Sequence, residues 1–176
     1  NPKPEESIEA MAKEKGVTAA ELAYEILIEN DGNNFIYAPL VNYADHTFGV
    51  CKKMLDDKNA IMGLGDGGAH VGFILDAGYP TWLISYWSVK KKAYSMEETV
   101  RRLTSDTANA AGLNDRGLLK VGLKADINII DWENVGSSDP FMTQDLPAGG
   151  KRLMQHTKGY VTTIVSGKVT YKNGEF

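Results

Sequence analysis

Residues 61–73 read Ile61-Met62-Gly63-Leu64-Gly65-Asp66-Gly67-Gly68-Ala69-His70-Val71-Gly72-Phe73, an apolar run that stops at a carboxylate set among glycines. The segment 59–64 is short, apolar and bounded by turn residues, which predicts a buried strand. Asp66 would then follow the carboxyl end of that strand, the edge at which parallel α/β architectures collect their chemistry. Glycines let a backbone approach a ligand closely. The stretch therefore predicts a functional site at Asp66.

Helices and strands alternate on both sides of this stretch. The predicted elements before it are a helix over 7–15, a helix from the Thr18/Glu21 capping box to the break at 31–34, a strand over 35–38, a helix over 45–55 and the strand over 59–64. After it, the sequence predicts a helix over 81–88 that starts at Pro80, and another from Ser95 to a stop at Gly112. Such alternation is typical of βα units and a parallel sheet.

The character of the chain changes near residues 113–115. The segments 118–121, 125–131 and 160–171 have β-type composition, and Ser166-Gly167 predicts a two-residue hairpin turn. These segments predict a small antiparallel β region. Residues 136–158 lack periodicity and predict a long loop, and loops of that length are usually functional or docked on another part of the protein.

The composition excludes several functional classes. The chain has 176 residues and a formal charge of −4, so it carries no basic footprint for nucleic acid. Its apolar runs are shorter than the roughly 18 residues that span a bilayer, and its first residues are polar. With the single cysteine Cys51, no internal disulfide can form. We predict a cytoplasmic protein that binds neither nucleic acid nor a membrane.

The candidate site residues each have a structural alternative. Asp66 could be a turn or cap residue, since Asp-Gly is common in turns. His70 could line a substrate pocket or be a satisfied structural group. The three histidines, His46, His70 and His156, are scattered, so no local motif supplies a conventional zinc site and any metal must draw ligands from elsewhere.

Other side chains favour structural roles. Cys51 lies on the apolar face of a predicted helix, with no paired histidine and base to make it a nucleophile. Core packing is the preferred interpretation of the aromatic residues at helical spacing, over an aromatic substrate wall. Those residues are Trp82, Tyr86 and Trp87. Asp106 and Asp126 are predicted to be cap and turn residues.

Several motifs together resemble one known superfamily. In chain order they are Gly63 to His70, Thr104-Ser105-Asp106-Thr107-Ala108, the Asp-Arg-Gly and Ala-Asp segments within 112–131, and the segments 145–152 and 165–174. From about residue 16 to the end, the chain resembles the amidohydrolase superfamily, and within it the D-aminoacylase (N-acyl-D-amino-acid deacylase) branch.

This resemblance implies a fold class. It is α/β: the C-terminal portion of a metal-dependent (β/α)8 (TIM) barrel, followed by the C-terminal half of a small β-sandwich. Residues 1–112 would supply the last βα units of the barrel, and 113–176 the sandwich strands, including the long loop at 136–158. A full barrel needs about 250 residues. An incomplete barrel leaves open sheet edges, so we expect a homo-oligomer or self-association.

The resemblance also implies an activity. It is the zinc-dependent hydrolysis of a non-peptide carbon–nitrogen bond, by deacylation of an N-acyl-D-amino acid. Asp66 matches the family's aspartate at the end of the last barrel strand, which implies a catalytic proton shuttle and a metal contact. Gly67, Gly68 and His70 would bind substrate. One or two zinc ions would be held mainly by ligands outside this chain, so the chain alone is expected to be inactive.

Two alternatives stay open at this point. The superfamily motifs do not exclude a cyclic-amide hydrolase of the dihydropyrimidinase or dihydroorotase type. A non-catalytic α/β module that binds a partner through residues 136–158 is the third interpretation.

Overall fold

The computed structural model describes residues 2–39, 41–43, 45–63 and 65–175. The chain divides into two compact units, residues 1–60 and 61–176. The expected division between residues 112 and 113 separates a barrel portion from a sandwich portion, and it stays a prediction.

The first helix of residues 1–60 forms where the sequence predicts it. Helix α1 spans Ile8–Lys15. The Ser7 hydroxyl accepts a hydrogen bond from the Ala10 N–H at 3.2 Å, which satisfies one of the free donors of the first turn. Gly16 ends the helix in the left-handed conformation, with φ of 71°.

The second helix follows the predicted capping box. Helix α2 spans Ala19–Gly32. Thr18 N–H donates to Glu21 Oε2 at 2.8 Å, and Glu21 N–H donates to Thr18 Oγ1 at 3.2 Å. Asn30 and Asp31 have positive φ within its last turn, so the predicted break begins there.

Two other expectations for residues 1–60 are wrong. Helix α3 spans only Gly49–Leu55, because the Asp45 carboxylate accepts bonds from the Thr47 N–H and hydroxyl and holds a turn instead. The predicted strand over 35–38 is absent, and Tyr37 is 67% exposed. A strand needs a hydrogen-bonding neighbour, and the described part of residues 1–60 contains only helices and irregular segments.

The first described element of residues 61–176 is the short strand β1, Gly67–His70, and helices follow it. Helix α4, Tyr79–Trp82, has proline in its first turn and runs directly into a π-helix over Leu83–Lys90. The helix predicted from Ser95 is divided into α5, Met96–Leu103, and α6, Ser105–Ala110. The break lies at Thr104, whose hydroxyl donates back to the Val100 carbonyl oxygen at 2.6 Å.

The π-helix forms the core of this unit. Leu83 is 0% exposed and Ile84 2%, and Tyr86 and Trp87 are also buried. Trp82 is half-buried and stacks on Tyr86, with ring centroids 4.6 Å apart. Core packing of Tyr86 and Trp87 is therefore confirmed.

A three-stranded antiparallel sheet follows. Its strands are β2, Ile127–Ile130, β7, Tyr160–Val165, and β8, Lys168–Lys172, and β7 is central. The predicted hairpin turn is confirmed, since Ser166 and Gly167 both have positive φ, as a two-residue turn of this kind requires. The segment 118–121 is not a strand, and Leu119 is 85% exposed.

Residues 136–158 are not a structureless loop. They form two antiparallel pairs, β3 (Gly136–Ser137) with β6 (Thr157–Lys158), and β4 (Phe141–Leu146) with β5 (Gly150–Met154). Arg152 Nε and Nη2 donate to the two carboxylate oxygens of Asp145 at 2.8 and 2.6 Å. Backbone pairing and this ion pair define the hairpin, so apolar periodicity does not reveal it.

The predicted parallel sheet is not found among the described residues. The strand pairs that the structure describes are antiparallel. Residues 59–63 form no strand, and Leu64 lies outside the described residues. A parallel strand depends on a hydrogen-bonding neighbour and on helices that cover both faces of its sheet. The structure is a mixture of helices and antiparallel strands, consistent with an α/β fragment, and the barrel and sandwich stay predictions. In the parts of the chain that are described, every helix falls short of the length and apolarity that a bilayer crossing requires.

Two glycines allow a test of the β region. Gly159 and Gly167 both have positive φ, but only at Gly159 would an added Cβ meet the chain, 2.6 Å from Val135 Cα. Gly167→Ala should cost about 1–2 kcal/mol of unfolding free energy from backbone strain alone. Gly159→Ala should cost about 1–3 kcal/mol more, because it also overpacks the contact. Urea unfolding of both variants measures the difference, and equal losses would contradict the described packing.

Candidate functional site

Asp66 lies in a turn, between Gly65 and strand β1. Its carbonyl oxygen accepts from the Ala69 N–H at 2.9 Å, which closes the turn. Its own N–H donates to Asp76 Oδ2 at 2.8 Å, across ten residues of chain. Asp66 is exposed to solvent. The backbone of this residue is thus held, while its carboxylate can reach a bound molecule.

The glycines around Asp66 serve different needs. A Cβ atom on Gly67 would lie 2.7 Å from the Ala77 Cβ, so only glycine fits that contact. Gly68 has open space around it but a φ of 98°, a conformation that glycine adopts without strain. Packing and conformation explain these two residues, and their contact with substrate stays a prediction.

His70 lies on the same glycine-rich loop, four residues after Asp66. Its φ is 47°, and its carbonyl oxygen accepts from the Phe73 N–H at 2.9 Å. Its ring stacks on the Phe73 ring, with centroids 5.1 Å apart. The residue is exposed, so its imidazole combines a local packing contact with access from solvent.

The segment 136–158 contacts this loop at two points. The Leu153 N–H donates to the Val71 carbonyl oxygen at 2.8 Å. A Cβ atom on Gly78 would lie 3.3 Å from Gln155 Oε1 and 3.7 Å from Ser137 Oγ, so the chain passes close there. These contacts dock the segment on the loop that follows Asp66, at Val71 and at Gly78.

The histidines do not gather around a metal. His46 belongs to residues 1–60, where it lines a mainly apolar cleft of about 600 Å³. The His156 ring packs on the Phe141 ring, with centroids 4.8 Å apart. The backbone N–H of His156 donates to Ser138 Oγ. Among the described residues, no group of three or more His, Cys, Asp or Glu could hold a metal ion. Asp66 could supply one carboxylate ligand, whereas a zinc centre needs three or four protein ligands. The described residues therefore do not by themselves fit a zinc centre.

Cys51 has the character of a structural thiol. It is half-buried, and its Sγ lies 3.7 Å from the Asn42 carbonyl oxygen. Burial raises the pKa of the Cys51 thiol, and the thiolate is the reactive form. This agrees with the interpretation that Cys51 is not a nucleophile.

The prediction that Asp106 and Asp126 are cap and turn residues is not confirmed, because Thr104 is the N-cap of α6 and Asp126 is not part of a turn. Asp126 directly precedes strand β2. Its Oδ1 accepts from the Ser166 N–H at 2.8 Å, and its Oδ2 lies 3.3 Å from Arg116 Nη1. Asp106 lies in the first turn of α6 and pairs with Arg101. Both aspartates are thereby committed to structural contacts.

Asp76 is the residue that sequence analysis missed. No motif spacing marks it, because its contact with Asp66 depends on how the intervening glycine-rich loop folds back. Asp-Ala-Gly before a proline-initiated helix could have indicated a turn, but not its partner.

Comparison with known proteins supports a family assignment. The profile of the amidohydrolase family matches residues 4–171. Over 89 residues, 48% of this chain, the sequence is 33% identical to a dihydroorotase of Lactobacillus acidophilus. The matched part of this chain spans 20% of the length of that relative. No solved structure matches the chain significantly. Because the family profile covers nearly all of the sequence, the chain belongs to the amidohydrolase family.

Proposed function

We propose that the protein containing this chain hydrolyses a carbon–nitrogen amide bond, with N-acyl-D-amino acids as its substrates and Asp66 as its proton shuttle. The observation that carries the proposal is the family match over residues 4–171, which includes an exposed carboxylate on a glycine-rich turn. The motifs at 145–152 and 165–174, which resemble the D-aminoacylase branch, support the substrate class.

The reaction needs one group that accepts a proton in the first step and donates it in the second. Water attacks the amide carbonyl carbon, a C–O bond forms, and the Asp66 carboxylate takes the proton that the water loses. The C–N bond then breaks, and the same carboxyl group gives its proton to the departing nitrogen, which is otherwise a poor leaving group. The products are a carboxylic acid and an amine. The exposed position of Asp66 suits this role, because both water and substrate can reach it.

The rest of the loop would bind substrate. Strand β1, which contains Gly67, Gly68 and His70, follows Asp66 directly. A molecule bound at the Asp66 carboxylate would therefore lie near the backbone of β1. The His70 imidazole, stacked on Phe73, offers a polar edge to an acyl or carboxylate group of that molecule. This role of His70 is part of the proposal.

Zinc is also part of the proposal. Amidohydrolases commonly use a metal to polarise the carbonyl group and activate water. The described residues offer no group of three ligands, so Asp66 would be one ligand and the others would come from outside them. Self-association through uncovered apolar surface stays a prediction as well.

A second candidate function has its own support. The dihydroorotase similarity covers 48% of the chain and favours a cyclic amide as substrate. The proton chemistry of Asp66 would be the same, since ring opening also breaks a C–N bond at a carbonyl carbon and leaves a nitrogen, here of a ureido group, that must gain a proton. The two candidates therefore differ in the substrate pocket and not in the reaction.

The role of Asp66 is tested by Asp66→Asn in the protein expressed with all the sequence that its gene encodes. We expect kcat for an N-acetyl-D-amino acid to fall about 10²–10⁴-fold, since the amide cannot accept a proton. Asp57→Asn is the matched control, because Asp57 is another turn aspartate, accepting from the Asn59 N–H at 2.8 Å. Amine release measures the rate, and bound zinc is measured on the same samples. An active Asp66→Asn protein would contradict the proposal.

The substrate class is tested by comparing kcat/KM for linear and cyclic amides. We expect N-acetyl-D-amino acids to be hydrolysed faster than their L-enantiomers and faster than dihydroorotate or dihydrouracil. A preference for a cyclic amide would favour the second candidate. Absence of hydrolysis across the panel, in a protein that is folded and supplied with zinc, would favour a binding module.

A further inference from the structure

We propose that Asp76 is a positioning residue that fixes the backbone of Asp66 and thereby aims its carboxylate. The inference rests on the proposed function, in which Asp66 transfers protons. It concerns a residue whose contribution no motif indicates.

The first observation is the hydrogen bond itself. Asp66 N–H donates to Asp76 Oδ2 at 2.8 Å. A hydrogen bond with an ionised acceptor is roughly twice as strong as one between neutral groups. Both residues are exposed, so burial does little to fix either of them. The bond is therefore a main restraint on the Asp66 backbone.

The second observation is the close packing of residues 65–67 against residues 76–77, at the two sides of the loop. A Cβ atom on Gly65 would lie 3.0 Å from the Asp76 carbonyl oxygen, and one on Gly67 would lie 2.7 Å from the Ala77 Cβ. Glycines on both sides of Asp66 thus let the segment 76–77 lie directly against it. The close approach brings the Asp76 carboxylate within reach of the Asp66 N–H.

The third observation links Asp76 to the core. Its carbonyl oxygen accepts from the Tyr79 N–H at 3.1 Å, at the start of α4. That helix continues into the π-helix, where Leu83 and Ile84 are buried. Asp76 consequently joins the exposed turn at Asp66 to the buried core of residues 61–176.

The loop has a separate attachment, so loss of the Asp76 side chain should not unfold it. The Leu153 N–H donates to the Val71 carbonyl oxygen at 2.8 Å, and this backbone hydrogen bond does not involve the Asp76 side chain. Removal of the Asp76 carboxylate should release the Asp66 backbone alone. A misplaced catalytic group lowers kcat, and a displacement of about 1 Å can cost about 10²-fold.

The hydrogen bond is tested by amide exchange in the protein expressed with all the sequence that its gene encodes, a measurement that needs neither activity nor metal. In Asp76→Ala the Asp66 amide should exchange about tenfold faster, as expected for loss of one such bond. Asp76→Asn keeps an acceptor oxygen and should restore most of the protection. Asp57→Ala removes a comparable turn aspartate and should leave the Asp66 amide unchanged. An unaltered Asp66 amide in Asp76→Ala would overturn the inference.

Positioning is tested by kinetics in the protein that shows amide hydrolysis. Asp76→Ala should lower kcat about 10–100-fold with little change in KM, and Asp76→Asn should recover most of kcat. Full activity of Asp76→Ala beside an inactive Asp66→Asn would overturn this inference and leave the proposed function intact. Full activity of Asp66→Asn would overturn both.

Discussion

The burial of one helical segment, α4 and the π-helix over residues 79–90, is the constraint on which the rest of residues 61–176 depends. Leu83 and Ile84 exclude solvent almost completely, and this apolar burial is the main favourable term available to the unit. The Thr81 and Tyr160 hydroxyl groups lie 2.8 Å apart, so the same segment is joined to the first residue of the central strand β7. The turn at Asp66 is joined to it through Asp76.

This arrangement joins a polar, exposed turn to a buried helical segment. A catalytic carboxylate must be reached by substrate, yet it must also keep its orientation, and these needs conflict in a loop that lacks buried side chains. In the proposed function, backbone contacts meet both needs: Asp76 accepts from the Asp66 N–H, and Leu153 donates to the Val71 carbonyl oxygen. The Asp66 side chain itself stays open to a bound molecule.

The features that could be predicted from the sequence are those fixed by neighbouring residues. The helix over 7–15, the Thr18/Glu21 capping box and the Ser166-Gly167 turn each depend on contacts within a few positions, and all three form. The strands predicted over 35–38 and 59–64 require distant partners, and apolar composition alone does not supply them. The two strand pairs within 136–158 were not predicted, because they form by backbone pairing rather than by an apolar pattern. The β4–β5 pair also contains the Arg152–Asp145 ion pair. The role of Asp66, inferred from its glycine-rich setting, stays a prediction, and its contact with Asp76 could not be predicted from the sequence.

The central claim is that Asp66 transfers protons during amide hydrolysis, and a structure with a reaction analogue tests it most directly. The ligand would be a phosphinate whose tetrahedral centre imitates an amide under attack by water, bound to the protein encoded by the whole gene. If Asp66 transfers the proton, one of its carboxylate oxygens should lie about 2.6–3.2 Å from the phosphinate oxygen that stands for the attacking water. An analogue bound with the Asp66 carboxylate beyond hydrogen-bonding distance, and another side chain in that place, would contradict it.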